Sequence, residues 1–252
     1  MDTHDVSVRR KLDGWTSSVL GQPMPIASWG SSGRPLLLFP TAGGDYLENE
    51  RFDLVRSVEP FVISGKARVF SIDSINRQAW LDPSLPVPEQ AKRQALYAQY
   101  VEQEVVPYVR SECGNPDLRI ATAGASFGAF HAANTLFRRP DLFDTVIAMS
   151  GFYDLAPDYL RGYSDDDCYY NNPVWYLPRL TGKYLDLLRE SCSINIVTGQ
   201  GAWETPDASF HLSSILSSLG IPHTLDLWGY DVNHDWPWWR KMLPLYLEKL
   251  GW

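Results

Sequence analysis

The chain of 252 residues carries 30 acidic against 22 basic side chains, a formal net charge of −8. That balance argues against nucleic acid or an anionic membrane as a partner, since both select for clustered lysine and arginine. A hydrophobic content of 44% without low-complexity tracts is that of an ordinary globular protein, and the length fits a single domain.

The opening MDTHDVSVRRKLDGW lacks the apolar stretch of a signal peptide, and no later run approaches a membrane-spanning length. Cys113, Cys168 and Cys192 show no CxxC or zinc spacing, and an odd count suits a reducing compartment. A cytoplasmic enzyme is expected, with each thiol acting as a small buried apolar group.

In chain order, Asp5–Trp15 and Pro23–Trp29 alternate apolar and polar positions and predict an antiparallel edge pair. Six β-rich runs follow: Pro35–Phe39, Ala67–Asp73, Arg119–Gly124, Thr145–Ser150, Ser193–Gly199 and His223–Trp228. Several are continuously apolar, as strands covered on both faces are. The longest helix is expected over Pro88–Glu112, with Ala95, Tyr97, Tyr100, Val101, Val105 and Val106 as its apolar stripe. Others follow Phe127, start near Ala208 and close the chain over Trp238–Leu250. Strands alternating with helices imply right-handed crossovers and an α/β fold with a mostly parallel sheet, whose ligands bind at the carboxyl ends of the strands. Gly151–Ser191, rich in Asp, Tyr, Asn and Pro, interrupts the alternation. It reads either as an insertion passing over the active edge or as a surface excursion with short helices.

Strand Arg119–Ala123 runs into Gly124-Ala125-Ser126-Phe127-Gly128, and a helix-like segment follows. This is GxSxG in the strand–turn–helix setting that exposes a nucleophilic serine. The flanking positions must be small because side chains there would strike the neighbouring strand and helix. Ser126 then stands at a helix N-terminus, where partial positive charge favours a developing anion.

A serine hydroxyl needs an adjacent base, itself oriented by a third group, and on such a fold the base comes last in the chain. His4 precedes the sheet, His131 lies on the helix after Ser126 as a packing residue, His211 falls on a helix and His223 opens a strand. His234 alone follows the last strand in a loop, which makes it the expected base. The acid should follow Ser193–Gly199, where Glu204 and Asp207 are available. Asp207 comes just after Pro206 at a helix start, where aspartate commonly caps, and no such role presents itself for Glu204. Asp154 lies one strand early, and Asp235 is adjacent to the histidine it would have to face.

These motifs resemble the putative-esterase (esterase D-like) family of α/β-hydrolases. The resemblance is carried by GASFG at 124–128, RRPDLFDTVIAMSG at 138–151, GQGAWE at 199–204 and NHDWPWWRKMLP at 233–244, and spans about residues 35 to 245. It implies a triad of Ser126, Glu204 and His234, acyl-ester chemistry on a small-molecule ester and no cofactor. Where many relatives carry an HGGG-type segment, this chain has Pro40-Thr41-Ala42-Gly43-Gly44, so one oxyanion donor is expected from the amide of Thr41 or Ala42 and the other from Phe127. No metal or nucleotide site is expected, since the chain has no HxxxH-like pair, P-loop or strand-following GxGxxG.

Three functions fit such a site: ester hydrolysis, acyl transfer to an alcohol by the same residues, and a scaffold that binds without turnover. An intact Ser–Glu–His set argues against the scaffold, and water exclusion decides between the other two, with hydrolysis the leading expectation. Trp203 and Trp236, with Trp238 and Trp239, stand beside the acid and base as candidate substrate-lining residues, or they merely pack the loops. The sequence does not fix an oligomeric state.

Overall fold

The computed structural model describes residues 8–252. Among them an eight-stranded sheet is formed by β1 (Arg10–Thr16), β2 (Pro23–Trp29), β3 (Arg34–Phe39), β4 (Ala67–Ile72), β5 (Ile120–Ala125), β6 (Phe143–Met149), β7 (Ser193–Thr198) and β8 (Thr224–Leu227). Their spatial order is β1-β2-β4-β3-β5-β6-β7-β8. β2 pairs antiparallel with both β1 and β4, and the other neighbours run parallel. The six expected core strands are all present, with ends displaced by one or two residues. The edge pair is present too. His4 and the Asp5–Ser7 start expected for its first strand lie outside the described residues.

The apolar runs are continuous because the sheet is covered on both faces. In β3, Leu37 and Phe39 face one core cluster with Phe70, Tyr97 and Val146, while Leu36 and Leu38 face the other with Trp29, Val69 and Met242. All four β3 residues are fully buried, each worth about 1.5–3 kcal/mol relative to exposure. The crossover helices therefore need only one apolar stripe each, whereas the strands need both faces apolar.

The long helix differs from a regular one. It runs α-helical over Val87–Tyr100, passes through a π-turn at Val101–Val105 and resumes over Val106–Cys113. Pro107 explains the break: it has no N–H, and its ring crowds the carbonyl four residues back, so the ladder widens ahead of it. The stripe survives, with Tyr97, Tyr100, Val101, Val105 and Val106 buried, while Ala95 is half-buried.

Between β3 and β4 three short helices, Glu48–Arg51, Leu54–Ser57 and Glu59–Ile63, lie where no helix was expected. Each is about a single turn, too short to show a period. Residues 151–191 contain no strand, but a π-turn at Ala156–Leu160 and short helices at Asp166–Tyr170, Pro173–Tyr176 and Lys183–Glu190. The first part does reach the active edge: Phe152 packs 4.9 Å from Phe127. The rest packs beside the helix Phe127–Arg138, where Arg138 donates to Asn171. Of the thiols only Cys168 is buried; Cys113 and Cys192 are half-exposed, and all three are free.

Candidate active site

At the carboxyl end of β5 the chain turns sharply into the helix Phe127–Arg138. Ser126 forms the turn at φ 57°, ψ −123°, a region a non-glycine residue occupies at a cost of roughly 1–3 kcal/mol. Its N–H donates to the carbonyl of Met149 on β6, which pins the turn to the sheet. A Cβ on Gly124 would lie 2.4 Å from the carbonyl carbon of Gly128, and one on Gly128 would lie 2.6 Å from the carbonyl oxygen of Phe39. Both glycines are thus required by close approach of backbone to backbone.

Glu204 leaves the loop after β7, two strands along the same edge. Its side chain is 1% exposed. Ser150 Oγ donates to one carboxylate oxygen at 2.6 Å and Thr198 Oγ1 to the other at 3.0 Å. Burial works to raise its pKa, but His234, Ser150 and Thr198 outweigh that effect and hold the carboxyl below the ordinary glutamate range. His234 Nδ1 stands 3.8 Å from Glu204 Oε2, and this buried nitrogen has no hydrogen-bond partner. The pair is wider than a hydrogen bond, a spacing common at catalytic sites before substrate tightens them. Among the described residues no hydrogen bond joins Ser126 to the His234 ring.

The loops carrying Glu204 and His234 are laced together. His234 N–H donates to Ala202 O at 3.0 Å, Ala202 N–H to Asn233 Oδ1 at 2.8 Å and Gly201 N–H to Val232 O at 2.8 Å. The His234 ring stands perpendicular to that of Trp239, with centroids 5.0 Å apart.

The other candidates have other places. Asp207 is exposed in the first turn of the helix Pro206–Ser218 and does not cap it; Thr205 holds the cap position without a side-chain bond. Pro206 already occupies the first helical position, so the helix begins ahead of Asp207 and leaves it inside the first turn and not at the cap. Asp235 caps the last helix, Trp236–Lys249, through the Trp236 N–H, and Asp154 accepts from Ala156 N–H and Asn172. His131 is buried and bonds Asn76 Oδ1 at 2.9 Å, His223 bonds Ser213, and His211 is exposed.

The open choice for the oxyanion donor narrows here. Thr41 N–H donates to Glu48 Oε2 at 2.7 Å and Thr41 Oγ1 to Glu48 Oε1 at 2.9 Å, so the Thr41 amide is occupied. Among the described residues the amides of Ala42 and Phe127 have no acceptor, and Phe127, as the first helical residue, has none within its helix.

The tryptophans divide. Trp203 is 88% exposed at φ 66°, on a turn open to solvent. Trp236 stacks on Phe52 at 4.6 Å, and Trp239 is buried. A different aromatic group closes the serine's side: Phe127, Phe130, Phe152 and Tyr159 pack ring on ring, with Trp80 and Ala42 against them. Ser150, Thr198 and Glu48 were not picked out from sequence. A serine between a strand end and Gly151 was the one available signal, whereas Glu48 gave none. Among the described residues no cluster of metal-ligating side chains occurs, and no helix is long and apolar enough to cross a membrane.

A mostly parallel sheet in this strand order, with a strained serine after β5 and a carboxylate and histidine after β7 and β8, defines an α/β-hydrolase. Residues 68–250 match the family described as Putative esterase, and the chain belongs to that family, whose members act on ester bonds. Solved structures similar to it include a ferulic acid esterase (19% identity, TM-score 0.73, 96% of this chain and 97% of the other). Another is the fluorophosphonate-binding serine hydrolase F of Staphylococcus aureus (13%, 0.74, 96% and 98%). A third is an S-formylglutathione hydrolase of the same organism (14%, 0.72, 96% and 96%). No curated protein matches the chain in sequence.

Proposed function

We propose that the chain hydrolyses carboxylic esters of small molecules through an acyl-enzyme formed on Ser126. His234 takes the Ser126 proton as Oγ attacks the ester carbonyl, and Glu204 orients the imidazole and stabilises its cation. The amides of Ala42 and Phe127 receive the oxyanion. His234 then protonates the departing alcohol and activates the water that releases the acyl group. One observation carries this reading above the others: a buried carboxylate, kept ionised by two hydroxyl donors, lies 3.8 Å from His234 Nδ1 on the sheet edge where Ser126 is held at φ 57°.

The test is a fluorophosphonate probe together with p-nitrophenyl esters of graded acyl length. Wild type should label and turn over, and Ser126→Ala should do neither while keeping its unfolding midpoint. A folded Ser126→Ala that still labels places the nucleophile elsewhere. Products that retain the acyl group on an added alcohol in preference to water make the chain an acyltransferase using the same residues.

A further inference from the structure

Ser150 is one of five non-glycine residues at positive φ among the described residues, with φ 52°. It ends β6, and its N–H donates to Val197 O at 2.8 Å, so its backbone is fixed between β6 and β7. Glycine would take this conformation without strain. The retention of a side chain at a strained position points to a use for that side chain.

Its contacts show the use. The hydroxyl has one proton, and an indole N–H can only donate. Trp239 Nε1 donates to Ser150 Oγ at 3.0 Å, so the hydroxyl must accept there and its proton turns to Glu204 Oε1, 2.6 Å away. All three groups are shut off from water: Ser150 and Trp239 are each 3% exposed, and the Glu204 side chain is 1% exposed. The same Trp239 ring stands edge-on to the His234 ring. One indole thus touches the base directly and the acid through a serine.

We propose that Trp239 and Ser150 are positioning residues for the acid–base pair, with the direction of the Trp239 N–H locking the Ser150 proton onto Glu204. Thr198 holds the second carboxylate oxygen and leaves its outer lone pair for His234. The carboxylate can then neither rotate nor drift toward its wall, and its distance to His234 is set by β6 and the last helix. This rests on the reading of Ser126, Glu204 and His234 as the reacting set.

The experiment compares wild type, Ser150→Gly, Trp239→Phe, the double variant and Ser126→Ala on p-nitrophenyl acetate. It reads kcat and KM separately, the unfolding midpoint and the low-field proton resonance of His234 Nδ1. Ser150→Gly suits the backbone and removes only the hydroxyl; its kcat should fall on the order of 10–100-fold with KM within about two-fold. Trp239→Phe keeps the serine but frees its proton, and kcat should fall about 2–10-fold. The double variant should be no slower than Ser150→Gly, because the Trp239 N–H acts on Glu204 through Ser150 and phenylalanine keeps an aromatic ring beside His234. The His234 resonance should weaken in both single variants. Wild-type kcat in Ser150→Gly overturns the proposal, as does a double variant whose two losses multiply. If Ser150→Gly fails to fold, an unchanged kcat in Trp239→Phe overturns it by itself. Turnover retained in Ser126→Ala is a different failure, that of the reacting set.

Discussion

The two ends of the candidate site are held by opposite means. Ser126 is fixed by backbone: a strained φ, an amide bonded to Met149, and Gly124 and Gly128, at which main chain touches main chain. Glu204 is fixed by side chains brought from elsewhere, with Ser150 54 residues away and Trp239 a further 89 residues from Ser150. A backbone device tolerates no added atom but is indifferent to remote substitutions. A side-chain network gives gradually and depends on distant positions. The nucleophile end should therefore fail abruptly and the acid end by degrees.

That contrast can be broken at several points. Gly124→Ala forces a Cβ to within 2.4 Å of the Gly128 backbone, and a loss of several kcal/mol is expected in urea unfolding, with activity lost as well. A variant as stable as wild type would show that the turn has room to relax. Ser126→Ala keeps the backbone and should cost on the order of 10⁴-fold or more in turnover with stability unchanged. At the acid end, Glu204→Gln should lose on the order of 10²–10⁴ in kcat, while Asp207→Asn stays near wild type on the same ester. A collapse of the Asp207 variant with Glu204→Gln unaffected would move the acid by three residues.

The helix Phe127–Arg138 also carries a pH liability of its own. Burial lowers the pKa of His131 to about 3, against 6.5 for an unhindered histidine. Between those values the unfolded chain binds a proton that the folded chain refuses, so stability falls as pH drops, by up to about 1.4 kcal/mol per unit. Asp73 opposes this. Burial raises it to about 6, so between about 3.8 and 6 the folded state keeps a proton the unfolded state has lost, and stability there falls as pH rises. Comparing wild type with His131→Leu removes the common part. From pH 6 to 5 the wild type should lose about 1.2 kcal/mol more than the variant, and parallel curves would refute the assignment. The smallest effect is expected at Trp203, where replacement by alanine should change stability by no more than about 0.5 kcal/mol and leave KM within two-fold.

The sequence was readable where structure is local. Strands buried on both faces appear as unbroken apolar runs such as PLLLF, and a turn that admits no Cβ appears as glycine two places before and after Ser126. Placing Glu204 needed only its distance past a strand end and the order of residues along the fold. The capping role expected for Asp207 failed because Pro206 ahead of it changes the first turn. Ser150 and Glu48 were invisible for another reason. Their meaning lies in partners that only the folded chain supplies, and an isolated serine or glutamate carries no period or spacing. The π-turn before Pro107 and the single-turn helices after β3 fall below the length at which a period can be seen.

The exposed indole of Trp203 has an optical consequence. The other nine tryptophans are buried or half-buried, so an aqueous quencher such as iodide meets this ring far more readily than the rest. Trp203 directly precedes Glu204 on the same tight turn, and a molecule settling over that turn would shield it. The chain thus carries a built-in fluorescent reporter next to its acid, and occupancy can be followed by the loss of quenching, with no dye attached.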